Sequence, residues 1–366
     1  MAFLSTQYFN FRNLKNKRLD LGAREIFMVG ENGQGKTNFI ESIYLLCFGA
    51  SFRTSQDLRM INHLEETAVV RGISREDERV QTEVAVKVSS KSKKEIRIDA
   101  KPVQDRKELI EKNPCIIFSH QDMELITGAP EKRRRFFNQT LTLFDPLFLE
   151  VLRRYQRAVR NRNILLKEKR LELLPSYDRT MAGLGMSIQK KRAEIIEEFN
   201  FAFCSLFKEI SGLKDELSIL YRPSWKANAS REDILGHLQG QRERDIMLCS
   251  SSSGPHRDLF LLMQGEKEFA SIGSTGQIRL SALILRAAQA HFFVSKSGRK
   301  PLLLLDDVLL ELDSRKREGF LRNLPGYEQA FFTFLPHESY ERYRGSDTLL
   351  YTVKEGEFLP ASWASR

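Results

Sequence analysis

Apolar positions along this chain follow two kinds of pattern, and the pattern changes twice. Near the start, Glu25-Ile26-Phe27-Met28-Val29 is a short, nearly continuous apolar run, which predicts a buried β-strand. A glycine-rich turn follows, and a helix is predicted from about residue 37 to 48. Residues 69–73, 81–88 and 95–98 read as further strands, the last two joined by a polar turn at 89–94. The middle of the chain differs. Leu147, Phe148, Val151, Leu152, Tyr155 and Val159 recur every three or four residues, as do Met181, Leu184, Ile188, Ile195, Ile196, Phe199, Phe203, Leu206 and Ile210. These two series predict a helical hairpin with an apolar seam, broken at Pro175-Ser176. Each arm is too short for a long coiled coil, so the hairpin should pack within its own domain. After about residue 250 strands return, with 301–305 and 331–334 as buried neighbours. The expected fold is therefore α/β, a strand-and-helix lobe split by a mainly helical lobe. Its boundaries are set at 1–125, 126–250 and 251–366.

The chain has 366 residues, enough for two domains, and a net charge of +10. Much of that surplus lies in one block: residues 131–170 hold 12 Lys or Arg against 4 Asp or Glu. Such a block suits a phosphate backbone; a solvated helix face has the same composition. The candidates by charge are Arg133, Arg134, Arg135, Arg153, Arg154, Arg157 and Arg160. No recognition-helix motif accompanies them, so base readout is not expected. The four cysteines, Cys47, Cys115, Cys204 and Cys249, share no C-x-x-C spacing; reduced thiols and an intracellular setting are expected. No apolar run reaches the length of a membrane span, and the first residues lack the charged-then-apolar form of a signal peptide.

The chemistry concentrates in three segments. Gly30-Glu31-Asn32-Gly33-Gln34-Gly35-Lys36-Thr37 matches G-x-x-x-x-G-K-[ST] between a predicted strand and helix. Its glycines let backbone N–H groups wrap a phosphate. Lys36 is then assigned to the β- and γ-phosphates of ATP and Thr37 to Mg²⁺. The run 302–305 ends in Asp306-Asp307, an acidic strand end: Asp306 is the metal carboxylate, and Asp307 polarises the attacking water. Ser274-Thr275-Gly276-Gln277 precedes an apolar helix, and such a helix start can hold an anion. With one phosphate site already present, this one is assigned to the γ-phosphate held by a second copy; an ordinary Ser N-cap also fits. Asp313, in Glu311-Leu312-Asp313, falls where a dimer-interface loop would lie, and Gln121 is a candidate to reach the metal and the water; each taken alone also fits an ordinary loop residue.

Together these residues resemble the ATPase heads of the SMC/Rad50 group and, within it, the bacterial RecF family. Further segments carry the likeness: Phe11-Arg12-Asn13, the phosphate loop extended to Asn38, Ser51-Phe52-Arg53-Thr54, residues 128–136 with their arginines, and Ser253-Gly254-Pro255-His256-Arg257-Asp258. The resemblance implies an ABC-type, Rad50-head-like fold with a short helical lobe in place of the long coiled coil. It implies nucleotide contacts from Arg12, Gly30, Glu31, Asn32, Gly33, Gln34, Gly35, Lys36, Thr37 and Asn38, and from Ser274, Gly276, Gln277, Asp313 and Thr333. It further implies ATP-dependent homodimers on double-stranded DNA and at single-strand/double-strand junctions, and slow, DNA-stimulated hydrolysis. RecR and RecO are the implied partners, loading of RecA at gaps and the SOS response the implied setting, and the cytoplasm the implied place. The chain departs from the family pattern at Leu259, where a second Asp is usual, at Gln121, where Glu is usual, at Ile278, and in having the single Thr333 in place of a threonine run. Asp307, a shorter arm than Glu, fits weak activation of water. The energising subunit of a transporter shares the three motifs, but here Gly276 lies 240 residues beyond Lys36 with a basic helical insertion between them. A scaffold with a dead site is opposed by the presence of Lys36, Thr37, Asp306 and Asp307.

Overall fold

The structure, a computed structural model, describes residues 2–77, 80–212, 216–310 and 312–361. They divide into two compact units, one of residues 1–121 and 293–366 and one of residues 122–292.

The first unit begins with β1 (Ala2–Phe9), β2 (Arg18–Asp20), β3 (Glu25–Val29) and α1 (Lys36–Phe48). Then come β4 (Thr67–Asp77), β5 (Val80–Ser89), β6 (Glu95–Ile98), β7 (Lys101–Pro102), α2 (Lys107–Lys112) and β8 (Cys115–Phe118). Its later part holds β12 (Leu302–Leu305), α10 (Ser314–Arg322), β13 (Gln329–Phe334), β14 (Thr348–Lys354) and β15 (Glu357–Pro360). One six-stranded sheet runs β15-β14-β3-β13-β12-β8 and is parallel except for β15. Its inner strands are apolar at almost every position, as a sheet covered on both faces requires: all of Leu302–Leu305 and all of Gln329–Phe334 are buried. The other sheet, β2-β1-β4-β5-β6-β7, is antiparallel. Its β5 alternates buried and open positions, the mark of one solvated face. Helix α1 packs against strands of both sheets, which is why eleven of its thirteen residues are buried. The close approach is made possible at Gly72 of β4, where a Cβ would stand 2.6 Å from Leu46 Cδ1.

The second unit contains α3 (Glu124–Thr127), α4 (Pro130–Thr142), α5 (Pro146–Glu168), α6 (Leu174–Ser211), β9 (Leu217–Arg222), α7 (Arg231–Gly240), α8 (Arg242–Leu248), β10 (Leu259–Gln264), β11 (Lys267–Glu268) and most of α9 (Thr275–Ser297). Strands β11-β10-β9 form a small antiparallel sheet. Helices α5 and α6 make the expected hairpin, but it turns earlier than Pro175-Ser176. Lys169 ends α5 in the left-handed region, and Pro175 sits in the first turn of α6, where a proline costs no hydrogen bond. Leu147 also leaves the expected seam: it is 71% exposed. The seam instead contains two buried cations. Arg162 pairs with Asp178 at 2.7 Å and Asp245 at 2.6 Å, and Arg192 pairs with Asp258 at 2.6 Å. Periodicity of apolar residues alone passes over them.

Residues 251–292, grouped by their motifs with the C-terminal ATPase part, fall in the second unit. The packing of α9 gives the reason. Gln289 donates to Thr140 Oγ1 at 2.9 Å, Arg286 holds Asp122 at 2.7 Å, and the Phe292 ring meets Phe144 edge-on and Phe199 at a tilt.

Candidate nucleotide-binding site

The loop between β3 and α1 is braced on several sides. Gly30 N–H donates to Phe334 O at 3.1 Å, and a Cβ on Gly30 would collide with the Val353 carbonyl oxygen. Gly33 and Gly35 have φ of 79° and 114°, values that favour glycine. Gln34 O accepts from Gly356 N–H at 2.8 Å and Gln34 Oε1 from Glu355 N–H at 2.6 Å, so the β14–β15 turn backs the loop. Asn38 Nδ2 donates to Asn13 Oδ1 at 2.7 Å, and Asn13 Nδ2 to Gly33 O at 3.4 Å. No side chain caps the start of α1. Its first amides and the positive end of the helix are thus available to an anion, which is the fit a phosphate needs.

Two sheet ends deliver the acidic groups to the same corner. Leu305 pairs with Phe118 on one side and Phe332 on the other, so Asp306 and Asp307 emerge at the carboxyl edge of the parallel strands, where ligands of open α/β sheets bind. Thr37 Oγ1 donates to Asp306 Oδ1 at 2.9 Å. Lys36, 3% exposed, donates to Gly30 O at 2.7 Å and Glu31 O at 3.2 Å, and lies 3.9 Å from Asp307 Oδ1. Burial first, and then the neighbouring Asp307, push the Asp306 carboxyl up to about 7. A cation bound there would reverse that penalty. One carboxylate and one hydroxyl suit Mg²⁺, which completes its shell with phosphate oxygens and water. Among the described residues no group of three or more His, Cys, Asp or Glu forms a protein-only metal cage.

Asp307 adopts φ 52° and is fixed by Thr333. Its N–H donates to Thr333 Oγ1 at 2.7 Å, and that hydroxyl donates to Asp307 Oδ1 at 2.7 Å. Gln121 is exposed, three residues past the end of β8 at the same sheet edge. Asp313 is the N-cap of α10, accepting from Lys316 N–H at 2.9 Å, a bond that lowers its pKa. Glu311 lies outside the described residues.

In the second unit, Ser274, Thr275 and Gly276 are exposed at the start of α9. Ser274 N–H donates to Gln277 Oε1 at 2.8 Å and Gln277 N–H to Ser274 Oγ at 3.3 Å, a reciprocal capping box. No Cβ on Gly276 would meet anything within 4 Å, so the face over this helix start is open. The arginine candidates separate. Arg133 is 8% exposed and donates to Ile126 O at 2.9 Å and Gly128 O at 3.0 Å, which removes it as a surface cation; its sequence neighbours gave no sign of that burial. Arg134 is half-buried and Arg135 exposed on α4. On α5, Arg154, Arg157 and Arg160 are exposed and Arg153 half-buried. No carboxylate occurs on α5 from Val151 to Lys167.

The RecF/RecN/SMC N terminal domain family matches residues 5–354. The DNA replication and repair protein RecF of Treponema pallidum is 40% identical over 349 residues, 95% of this chain and 98% of its own length. This chain belongs to the RecF family. The RecF of Leptospira interrogans is 32% identical over 96% of this chain and 97% of its own length. A solved structure described as the recombination mediator protein RecF-ATP in the RecFOR pathway superposes with a TM-score of 0.90 at 27% identity, covering 99% of this chain and 98% of that one. An Smc head domain from Pyrococcus furiosus shares the fold at a TM-score of 0.57 and 14% identity. The RecF-family fold is therefore the ABC-type ATPase architecture, with the helical lobe as expected.

Within this RecF-family head, one residue behind the phosphate loop was not visible as functional from the sequence. Glu41 is fully buried on α1. It takes Arg12 through two bonds of 2.9 and 2.8 Å, Arg53 at 3.4 Å, and the hydroxyl of Ser51. Arg53 Nη1 also donates to Asn38 Oδ1 at 2.7 Å. The signal was present: a lone acid, four residues after Thr37, set in the otherwise apolar stretch that begins at Phe39 and is broken only by Ser42. Glu41 thereby fixes Arg12 and Arg53, two of the segments that carry the resemblance, beside the start of α1.

Proposed function

We propose that the protein is an ATP-switched DNA-binding repair factor that works in the cytoplasm as a homodimer. Lys36 and the loop amides of residues 30–38 bind the β- and γ-phosphates. Thr37 and Asp306 would hold Mg²⁺, with Gln121 as a further candidate to reach it, and the ion would supply charge to neutralise that developing on the phosphates. Asp307, oriented by Thr333, accepts a proton from the water that attacks the γ-phosphorus, giving ADP and inorganic phosphate. Ser274, Gly276 and Gln277 of a second copy contact the same γ-phosphate, and Asp313 lies at the loop that meets the partner. Loss of the γ-phosphate removes the shared anion, so the dimer opens, as in other nucleotide switches. The exposed arginines of α4 and α5 hold duplex phosphates without reading bases. By family, RecR and RecO are the partners, and RecA loading at single-stranded gaps and the SOS response are the setting.

The observation that supports this reading most is the convergence of Lys36, Thr37, Asp306 and Asp307, with Thr37 Oγ1 and Asp306 Oδ1 2.9 Å apart, on a loop whose helix start carries no cap. Sedimentation with and without ATP and Mg²⁺, repeated with duplex DNA at two salt concentrations, tests it. ATP should double the sedimenting mass, and duplex binding should weaken steeply with salt. Lys36→Ala should stay monomeric in ATP. Undiminished dimers in that variant would refute the switch.

A further inference from the structure

The Ser253–Asp258 segment, part of the family likeness, has no role in the nucleotide corner. Its packing shows what it supports. Asp258 is fully buried. Its Oδ1 accepts from Gln189 Nε2 at 3.0 Å and Ser224 N–H at 2.7 Å; its Oδ2 accepts from Arg192 Nη1 at 2.6 Å and Tyr221 Oη at 2.5 Å. A carboxylate has about four acceptor positions, so this one is saturated. His256 is also spoken for. Its Nε2 donates to Ser251 O at 3.0 Å and its Nδ1 accepts from Tyr155 Oη at 2.8 Å. Burial, opposed by that backbone bond, takes its pKa down to about 4, and the ring is neutral near pH 7. Gly254, at φ 127°, admits no side chain: a Cβ would collide with Tyr155 Oη. The segment is a rigid base.

On that base stand two guanidinium groups. Arg257 is exposed, and its Nε and Nη2 both donate to Ser251 O at 3.3 Å. Arg134, from α4, donates Nη1 to Asp258 O at 3.0 Å. Both are anchored through one side of the fork, leaving other N–H donors of each group unused. None of those donors is buried without a partner. Neither arginine has an ion-pair partner among the described residues. Burial, then the positive charges of Arg192 and Arg257, lower the pKa of Arg134, while Glu131 and Asp258 oppose that shift. Of the two acids that act on Arg134, Asp258 is already matched by Arg192, which leaves Glu131, three residues before Arg134 on α4. Both cations are docked on carbonyls of this one stiff segment, Arg257 on Ser251 O and Arg134 on Asp258 O, and a phosphate that accepts from the free donors of both forks would offset their charge.

We propose that Arg134 and Arg257 form a two-guanidinium seat for one phosphodiester of a DNA duplex, with Glu131 limiting its affinity. This rests on the reading of the protein as an ATP-switched duplex binder, and adds Arg257 to the binding surface. The seat takes a backbone phosphate in any sequence, because both groups present donors and no base-reading element accompanies them.

The test is fluorescence anisotropy of the full chain, with ATP and Mg²⁺, on a labelled duplex across a salt series. Arg134→Ala, Arg257→Ala and the double variant are compared with Glu131→Gln. The slope of log affinity against log salt should become shallower by about 0.9 in the double variant, the value for one phosphate contact. The two single losses should multiply to more than the double loss, because both arginines grip one group. Glu131→Gln should bind more tightly. ATP affinity and ATP-dependent dimerisation, read in parallel, should not change. A wild-type chain that dimerises with ATP but binds no duplex would sink both this proposal and the duplex reading. Wild-type binding with an unaltered affinity and salt slope in Arg257→Ala and unaltered binding in Glu131→Gln would overturn the seat alone. That second result would leave the face to an acidic protein.

Discussion

Replacing Asp306 by Asn should stabilise the nucleotide-free protein while removing its use of Mg²⁺. In the folded chain the Asp306 carboxyl is pushed up to about 7 from 3.8, first by burial and then by Asp307. A folded-state pKa above the unfolded one means that the native form holds the proton more tightly. The stabilisation is therefore complete below about pH 4, declines as pH rises, and is fully lost above about pH 7. The decline is about 1.4 kcal/mol per pH unit, so across this window it amounts to about 4 kcal/mol against a neutral side chain. Asn keeps an acceptor for Thr37 Oγ1 and does not ionise. Thermal melts of both proteins from pH 4 to pH 9, in chelator and without nucleotide, read the difference. The curves should meet near pH 4, separate up to about pH 7, and then run parallel, with the variant several degrees higher. With ATP and Mg²⁺ at pH 8 the order should reverse, since only the wild type gains from the bound ion. A gap independent of pH, or a variant that melts lower at pH 8 without ligand, would refute the reasoning.

Thr333→Val should leave ATP affinity near the wild-type value and lower the hydrolysis rate by at least about ten-fold, because Asp307 loses the hydroxyl that orients it; phosphate release alongside equilibrium ATP binding separates the two effects, and an unchanged rate would exclude the positioning role. Ser274→Arg should bind ATP as a monomer but neither dimerise nor hydrolyse it, checked by sedimentation and phosphate release; normal turnover would rule out contact with a partner's γ-phosphate. Glu41→Gln should destabilise the chain by about 3 kcal/mol, the order expected when one member of a buried ion pair is removed, seen as a lower denaturant midpoint; an unchanged midpoint would show that Arg12 and Arg53 do not need it.

What could be read from the chain was local. The phosphate loop needs only a strand, a few glycines and a helix in immediate succession, and 25–48 supplies all three. The run 302–305 is apolar at every position because both of its faces are covered, so its place in a parallel sheet follows from composition. Errors arose where spacing and composition do not carry the deciding contact. Pro175 looks like a break, yet the first turn of a helix accepts it. Leu147 fits the seam by spacing, but spacing does not say what lies opposite. Residues 251–292 carry an ATPase motif and yet pack with Asp122, Thr140, Phe144 and Phe199. Arg133 belongs to a basic run, and the carbonyls of Ile126 and Gly128 turn it inward.

Unfavourable features gather at one corner of the first unit, and they share a direction. Asp307 sits in the left-handed region without being glycine, which costs of order 1 kcal/mol. Asp306 is buried beside a second carboxylate. Lys36 meets two carbonyls and only a distant carboxylate, at 3.9 Å, so its charge is poorly matched for a buried ammonium. Phosphate would give Lys36 its counter-charge, and a divalent cation would give Asp306 one. These two ligands offset opposite defects, so neither alone should relieve the corner. Nucleotide without metal leaves the buried Asp306 uncompensated beside Asp307; metal without nucleotide leaves Lys36 unmatched. Melts with ATP in chelator, with Mg²⁺ alone and with both should therefore show more than additive stabilisation by the pair. Simple addition of the two shifts would mean that the corner does not act as one site.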